Sequence, residues 1–157
     1  MKMDLLKRGP GRPSSPAAVA ATAAFVAGGL LLVWSSSIHF HLWQTIGYKH
    51  IATIGPLFLL QSIAGLLLGV LAIAARQVWA AAAGAGFAAS TLAGFLLTVS
   101  LPHGLFNFKE SWSAPFAHQA FAIEIAAVVM LLIAGTLSLA PSAPPTRTGT
   151  APAGSPS

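Results

Sequence analysis

The stretch Thr53–Ser100, TIGPLFLLQSIAGLLLGVLAIAARQVWAAAAGAGFAASTLAGFLLTVS, contains a single charged residue, Arg76. About 20 mostly apolar residues are enough for a helix to cross a hydrocarbon core of roughly 30 Å. The stretch is long enough for two crossings, and Arg76-Gln77 breaks it in the middle. It therefore reads as two spans, Thr53–Ala75 and Val78–Ser100, with Pro102 stopping the second. So short a link allows only a tight antiparallel hairpin. Membrane strands would alternate apolar and polar positions over about 10 residues, whereas these segments are apolar on every side. They are helices, and the predicted class is all-α.

Two more spans flank the hairpin. The window Pro13–Tyr48 holds no Asp, Glu, Lys or Arg and supplies a span at about 17–37. The last span, at about 116–140, is closed by Pro141 and carries one charge, Glu124. The whole chain agrees with this pattern. It is 55% hydrophobic and 7% charged, against about 25% charged in a soluble domain, and its mean hydropathy is +0.77. Too little charge is present to cover a water-exposed surface. The expected architecture is a four-helix membrane bundle, up-down-up-down, with spans inside a domain at 17–140. Residues 1–16 form a basic tail and residues 141–157 a Pro/Ser/Ala tail, both expected to be disordered because they have little apolar surface to bury.

A basic stretch before an apolar run can also mark a secretory signal peptide. The run after Arg12 is longer than a usual signal core and no A-x-A site follows Trp34, so retention as a first span is expected. Lys and Arg then set the orientation. With the N-terminus inside, Lys2, Lys7, Arg8, Arg12, Arg76 and Arg147 fall on the cytoplasmic side, and Lys49 and Lys109 fall outside. Both termini are thus expected in the cytoplasm of a cell-membrane protein. The net charge of +5 reads as this bias together with attraction to anionic lipid. Nucleic acid is not an expected partner.

In lipid, helices associate through close packing at small residues. Gly65 and Gly69 form a GxxxG pair one turn beyond Gln61, and Ala82, Gly86, Ser90 and Gly94 repeat every four residues. Such stripes are expected to mark helix contacts, within one chain or between copies. Ala27–Val33, AGGLLLV, resembles Ala93–Val99, AGFLLTV, and each is followed by a histidine, His39 or His103. A duplicated helical hairpin would explain this.

Chemistry-bearing residues are few. The chain has no cysteine, which removes disulfides, thiolate metal sites and thiol catalysis. There is no phosphate-binding glycine loop and no nucleophile paired with a base. All five histidines, His39, His41, His50, His103 and His118, fall at the outer ends or in the outer loops. Neutral imidazole ligates metals and titrates near physiological pH. A metal or haem site, a proton site and simple interfacial anchoring beside Trp34, Trp43, Tyr48 and Trp112 all fit that placement. Were Ile38–Leu42 extended, His39 and His41 would share one side. Glu124 lies roughly 12 Å into its span, where a charge costs roughly 2.5–3.5 kcal/mol. Gln61 lies at similar depth, and a Glu124–Gln61 hydrogen bond is expected to satisfy both.

Three functional classes follow. With tiny loops and no catalytic set, the first expectation is a non-enzymatic accessory or assembly subunit that engages another membrane protein or its own copies. The alternative is a redox protein using the outer histidines for a metal or haem, or holding a quinone. The third is a small proton-coupled transporter built on Glu124.

Overall fold

The structure, a computed structural model, describes residues 2–11 and 15–140. Arg12, Pro13, Pro141 and Arg147 lie outside the described residues. Five α-helices follow one another: α1 Lys2–Leu6, α2 Pro16–Thr45, α3 Ile54–Ala75, α4 Val78–Ser100 and α5 Ala117–Leu139, with a 3-10 turn at Tyr48–His50. All the long helices have the length and hydropathy of membrane spans. Among the described residues the one β-type pairing is an isolated bridge, Leu105 with Phe108, in the α4–α5 loop.

Helices α2 to α5 form a ring in which each packs on its neighbours in sequence and α5 closes on α2, with little contact across the α2–α4 diagonal. Phe25, Leu32 and Leu131 are the largest fully buried side chains, set among Ala72, Ala127 and Ala134. Side chains this small let the helices approach closely. The α3 face turned away from the bundle is built of Leu57, Leu60, Ile63, Leu67 and Val70. An outer surface of that composition contacts the acyl chains of a bilayer.

Helix α2 differs most from expectation. It does not end near Ser37 but continues to Thr45, about 45 Å in all. The polar run Ser35–Ser36–Ser37 reads as an exit from the membrane, yet each hydroxyl has a partner. Ser35 Oγ donates to Glu124 Oε1, Ser36 Oγ to the Ser62 carbonyl of α3, and Ser37 Oγ back to Trp34 O. Nothing breaks the helix until Gly47, whose φ of 97° suits glycine. Ile38–Leu42 is therefore helical rather than extended. Two residues then subtend about 200°, which puts His39 inside the bundle and His41 on its exposed side.

At one end of the bundle lies the hairpin link, at the other the two longer loops. The segment expected to be a disordered tail contains α1 and then runs against the hairpin link. There the Arg8 carbonyl accepts from Val78 N at 2.9 Å. At the loop end, Gly104 takes φ 68°, and a Cβ there would run into the Phe108 carbonyl oxygen. The two repeat histidines also sit differently: His39 lies inside a helix, whereas His103 lies in the loop after α4.

Candidate functional site: a buried carboxyl–imidazole centre

Between the alanine-rich core and the loop end, three helices contribute one polar layer. Helix α5 supplies Glu124, only 3% exposed. Its Oε1 accepts from Ser35 Oγ of α2 at 2.9 Å and from Gln61 Nε2 of α3 at 3.2 Å. His39, one turn beyond Ser35 on the same face of α2, brings Nε2 to 3.9 Å from that oxygen. Gln61 and Glu124 are each the eighth residue of helices running in the same direction, which explains their common depth.

The His39 ring is set by its other nitrogen. Nδ1 lies 2.9 Å from the Ser35 carbonyl, and a carbonyl can only accept. Nδ1 therefore carries a proton, and Nε2 is the nitrogen that gains or loses one. It faces the carboxyl. Phe58 packs against the ring at 5.2 Å between centroids, which limits its rotation. Among the described residues every hydrogen bond to the Glu124 side chain falls on Oε1, and Oε2 receives none.

A narrow cavity of about 50 Å³ adjoins this centre, bordered by His39 and Glu124 at its inner end and by Tyr48 and Glu110 at the loop end. Phe58, Thr91, Phe95 and Phe121 form its sides. A water molecule takes up about 30 Å³ in the liquid, so the space suits one or two waters. It is far below the roughly 300–1,000 Å³ of ordinary ligand pockets, and haem or a quinone ring does not fit in it.

Tyr48 OH donates to Glu110 Oε2 at 2.6 Å, and Glu110 Oε1 accepts from Ser111 N at 3.0 Å. The Tyr48 ring is buried against Phe58 and Phe108. Burial, reinforced by the hydrogen bond and charge of Glu110, pushes its phenol above the ordinary value of 10.0. A raised folded-state value favours the protonated form, so this contribution to stability is complete below pH 10 and is lost as pH rises through the folded value. Tyr48 is the only tyrosine in the chain, so phenolate absorbance reports on it alone. An alkaline titration of the folded protein is expected to show no phenolate until well above pH 10, whereas a midpoint at 10 would mean that the ring is neither buried nor bonded to Glu110.

Of the expected site residues, the structure brings together Glu124, Gln61 and His39. His41, His50, His103 and His118 are exposed and stand apart from the centre. His118 stacks on Trp112 and His41 meets Phe116 edge-on. Among the described residues no three of His, Asp or Glu are grouped so as to hold a metal ion. Gly65 and Gly69 face α2, whereas a Cβ at Gly86 or Gly94 would meet nothing within 4 Å.

Ser35 and Glu110 border the site without having been singled out from sequence, and Tyr48, read there as an interfacial anchor, joins them. Their signal was scarcity. The chain has three acidic residues, and two of them, Glu110 and Glu124, border the same cavity. No protein-family model, curated protein or solved structure matches the chain.

Proposed function

We propose that this small multi-pass membrane protein binds and releases a proton at a centre made by Glu124 and His39, with Ser35 and Gln61 holding the carboxyl in place. The proposal rests on one convergence: a buried carboxyl and the unprotonated ring nitrogen of a buried imidazole lie 3.9 Å apart beside a water-sized cavity. Oε2 of Glu124 and Nε2 of His39 are the two proton positions. Transfer between them leaves the net charge of the centre unchanged, so it requires no new counter-charge inside the bilayer. The Lys and Arg bias supports placing the loop end outside a cytoplasmic-type membrane and both termini inside. Under that orientation the proton comes from the outer aqueous phase.

Four spans are few for a transporter acting alone, and proton binding of this kind fits a subunit of a larger assembly. The surface of α4 supports that second element. Where α3 exposes leucines with Ile63 and Val70, α4 turns Ala82, Gly86, Ala89 and Ser90 outward, a surface on which a further helix can pack closely. The partner is another membrane protein or a second copy of this chain.

Proton uptake by the purified protein in lipid nanodiscs tests the centre. On acidification, wild type is expected to take up one proton per chain more than Glu124→Gln, followed with a pH-indicator dye. Equal uptake by the two proteins would contradict the proposal.

A further inference from the structure

The centre lies well below the loop end, and a proton-binding group at that depth needs a defined route to water. The Tyr48–Glu110 pair lines the cavity from the loop end of the bundle, beside Ala114, Pro115 and Phe116 of the α4–α5 loop. We propose that Glu110 is a second proton-binding site, the one that exchanges with the aqueous phase, and that its hydrogen bond from Tyr48 latches the cavity leading to His39 and Glu124. This rests on the proton-binding centre described above.

The titratable groups around the cavity come from α2 (His39), the 3-10 turn (Tyr48), the α4–α5 loop (Glu110) and α5 (Glu124). Helices α3 and α4 contribute Phe58, Thr91 and Phe95, none of which titrates. Lys109, next to Glu110 in sequence, is engaged elsewhere, its Nζ donating to Leu101 O. Glu110 is therefore the acid at the mouth, half-buried, with one oxygen on Tyr48 and the other on Ser111 N. It can pass a proton inward through one or two waters. The hydroxyls on the described lining are engaged, Thr91 Oγ1 donating to Phe87 O and Tyr48 OH to Glu110 itself.

Tyr48 has the opposite effect. Its ring is buried against Phe58 and Phe108, and its hydroxyl ties Glu110 to the 3-10 turn. Loosening that tie frees the loop carboxyl to move between bulk water and the cavity. Removing the carboxyl deletes the carrier. A purely structural pair would give effects of the same sign for both substitutions, so opposite signs are the signature.

The experiment follows hydrogen–deuterium exchange at the Glu124 carboxyl in full-length protein in nanodiscs, read from its infrared C=O stretch and assigned by its loss in Glu124→Gln. Glu110→Gln is expected to slow exchange at least about tenfold, with formate in the buffer restoring the rate. Tyr48→Phe is expected to speed exchange about tenfold. Unchanged rates in both variants, slowing in both, or a slow Glu110→Gln rate that formate does not restore would overturn the latch while leaving the centre intact. Absence in wild type of any band that Glu124→Gln removes would instead overturn the proton-binding centre, and the latch with it.

Discussion

Gly69→Leu is expected to destabilise the bundle by at least about 3 kcal/mol, whereas Gly86→Leu leaves it close to wild type. The difference lies in what each glycine faces. A Cβ at Gly69 would lie 2.6 Å from the Gly29 carbonyl, and a Cβ at Gly29 would lie 2.6 Å from the Gly69 carbonyl. The two backbones touch, and neither carbonyl can turn away without breaking its own helix. Any side chain forces α2 and α3 apart. That separation would also pull Ser36 from the Ser62 carbonyl and Gln61 from Glu124, bonds of 2.8 and 3.2 Å. Gly86 has nothing within 4 Å. Unfolding in detergent, followed by tryptophan fluorescence, measures both variants. A large loss at Gly86 as well would show that the outer face of α4 is packed against a second molecule under those conditions.

The second large effect is at Glu124, where two substitutions separate structure from proton chemistry. Glu124→Leu removes the acceptor for Ser35 Oγ and Gln61 Nε2, both inside the bundle. Interhelical hydrogen bonds in membranes are each worth roughly 0.6–2 kcal/mol, so the variant, losing two, is expected to lose about 1–4 kcal/mol. Glu124→Gln keeps a carbonyl oxygen for both donors. Its stability is expected to stay near wild type, while it takes up one proton per chain fewer on acidification. Thermal unfolding in the same detergent, run beside the dye titration, gives both quantities. A Glu124→Leu protein as stable as wild type would mean that the polar layer adds nothing to the fold.

The spans could be read from sequence because lipid demands long apolar helices and Pro or charge ends them. Val78–Ser100 is the clearest case, bounded by Arg76-Gln77 and Pro102. The end of α2 could not be read this way. Three serines and two histidines look like a polar exit, and only the opposing residues of α3 and α5 reveal that Ser35, Ser36 and His39 are satisfied inside. Periodicity gives the spacing of a helix face but not the neighbour it meets. For that reason Gly65 and Gly86, alike in sequence context, differ in surroundings. Gln61 and Glu124 could be paired by depth counting, since both helices start from the same end. Tyr48 and Glu110 are brought together by loop geometry across 62 positions, and no local pattern encodes that.

The Glu124 carboxyl is expected to bind a proton inside the folded bundle. Infrared difference spectroscopy of the protein in lipid nanodiscs, stepped across pH, detects that proton at the carboxyl itself. The expected result is a protonated-carboxyl C=O band that grows on acidification, shifts in deuterated water, changes in His39→Gln and vanishes in Glu124→Gln. A carboxyl signal with no Glu124 contribution at any pH at which the protein stays folded would contradict it.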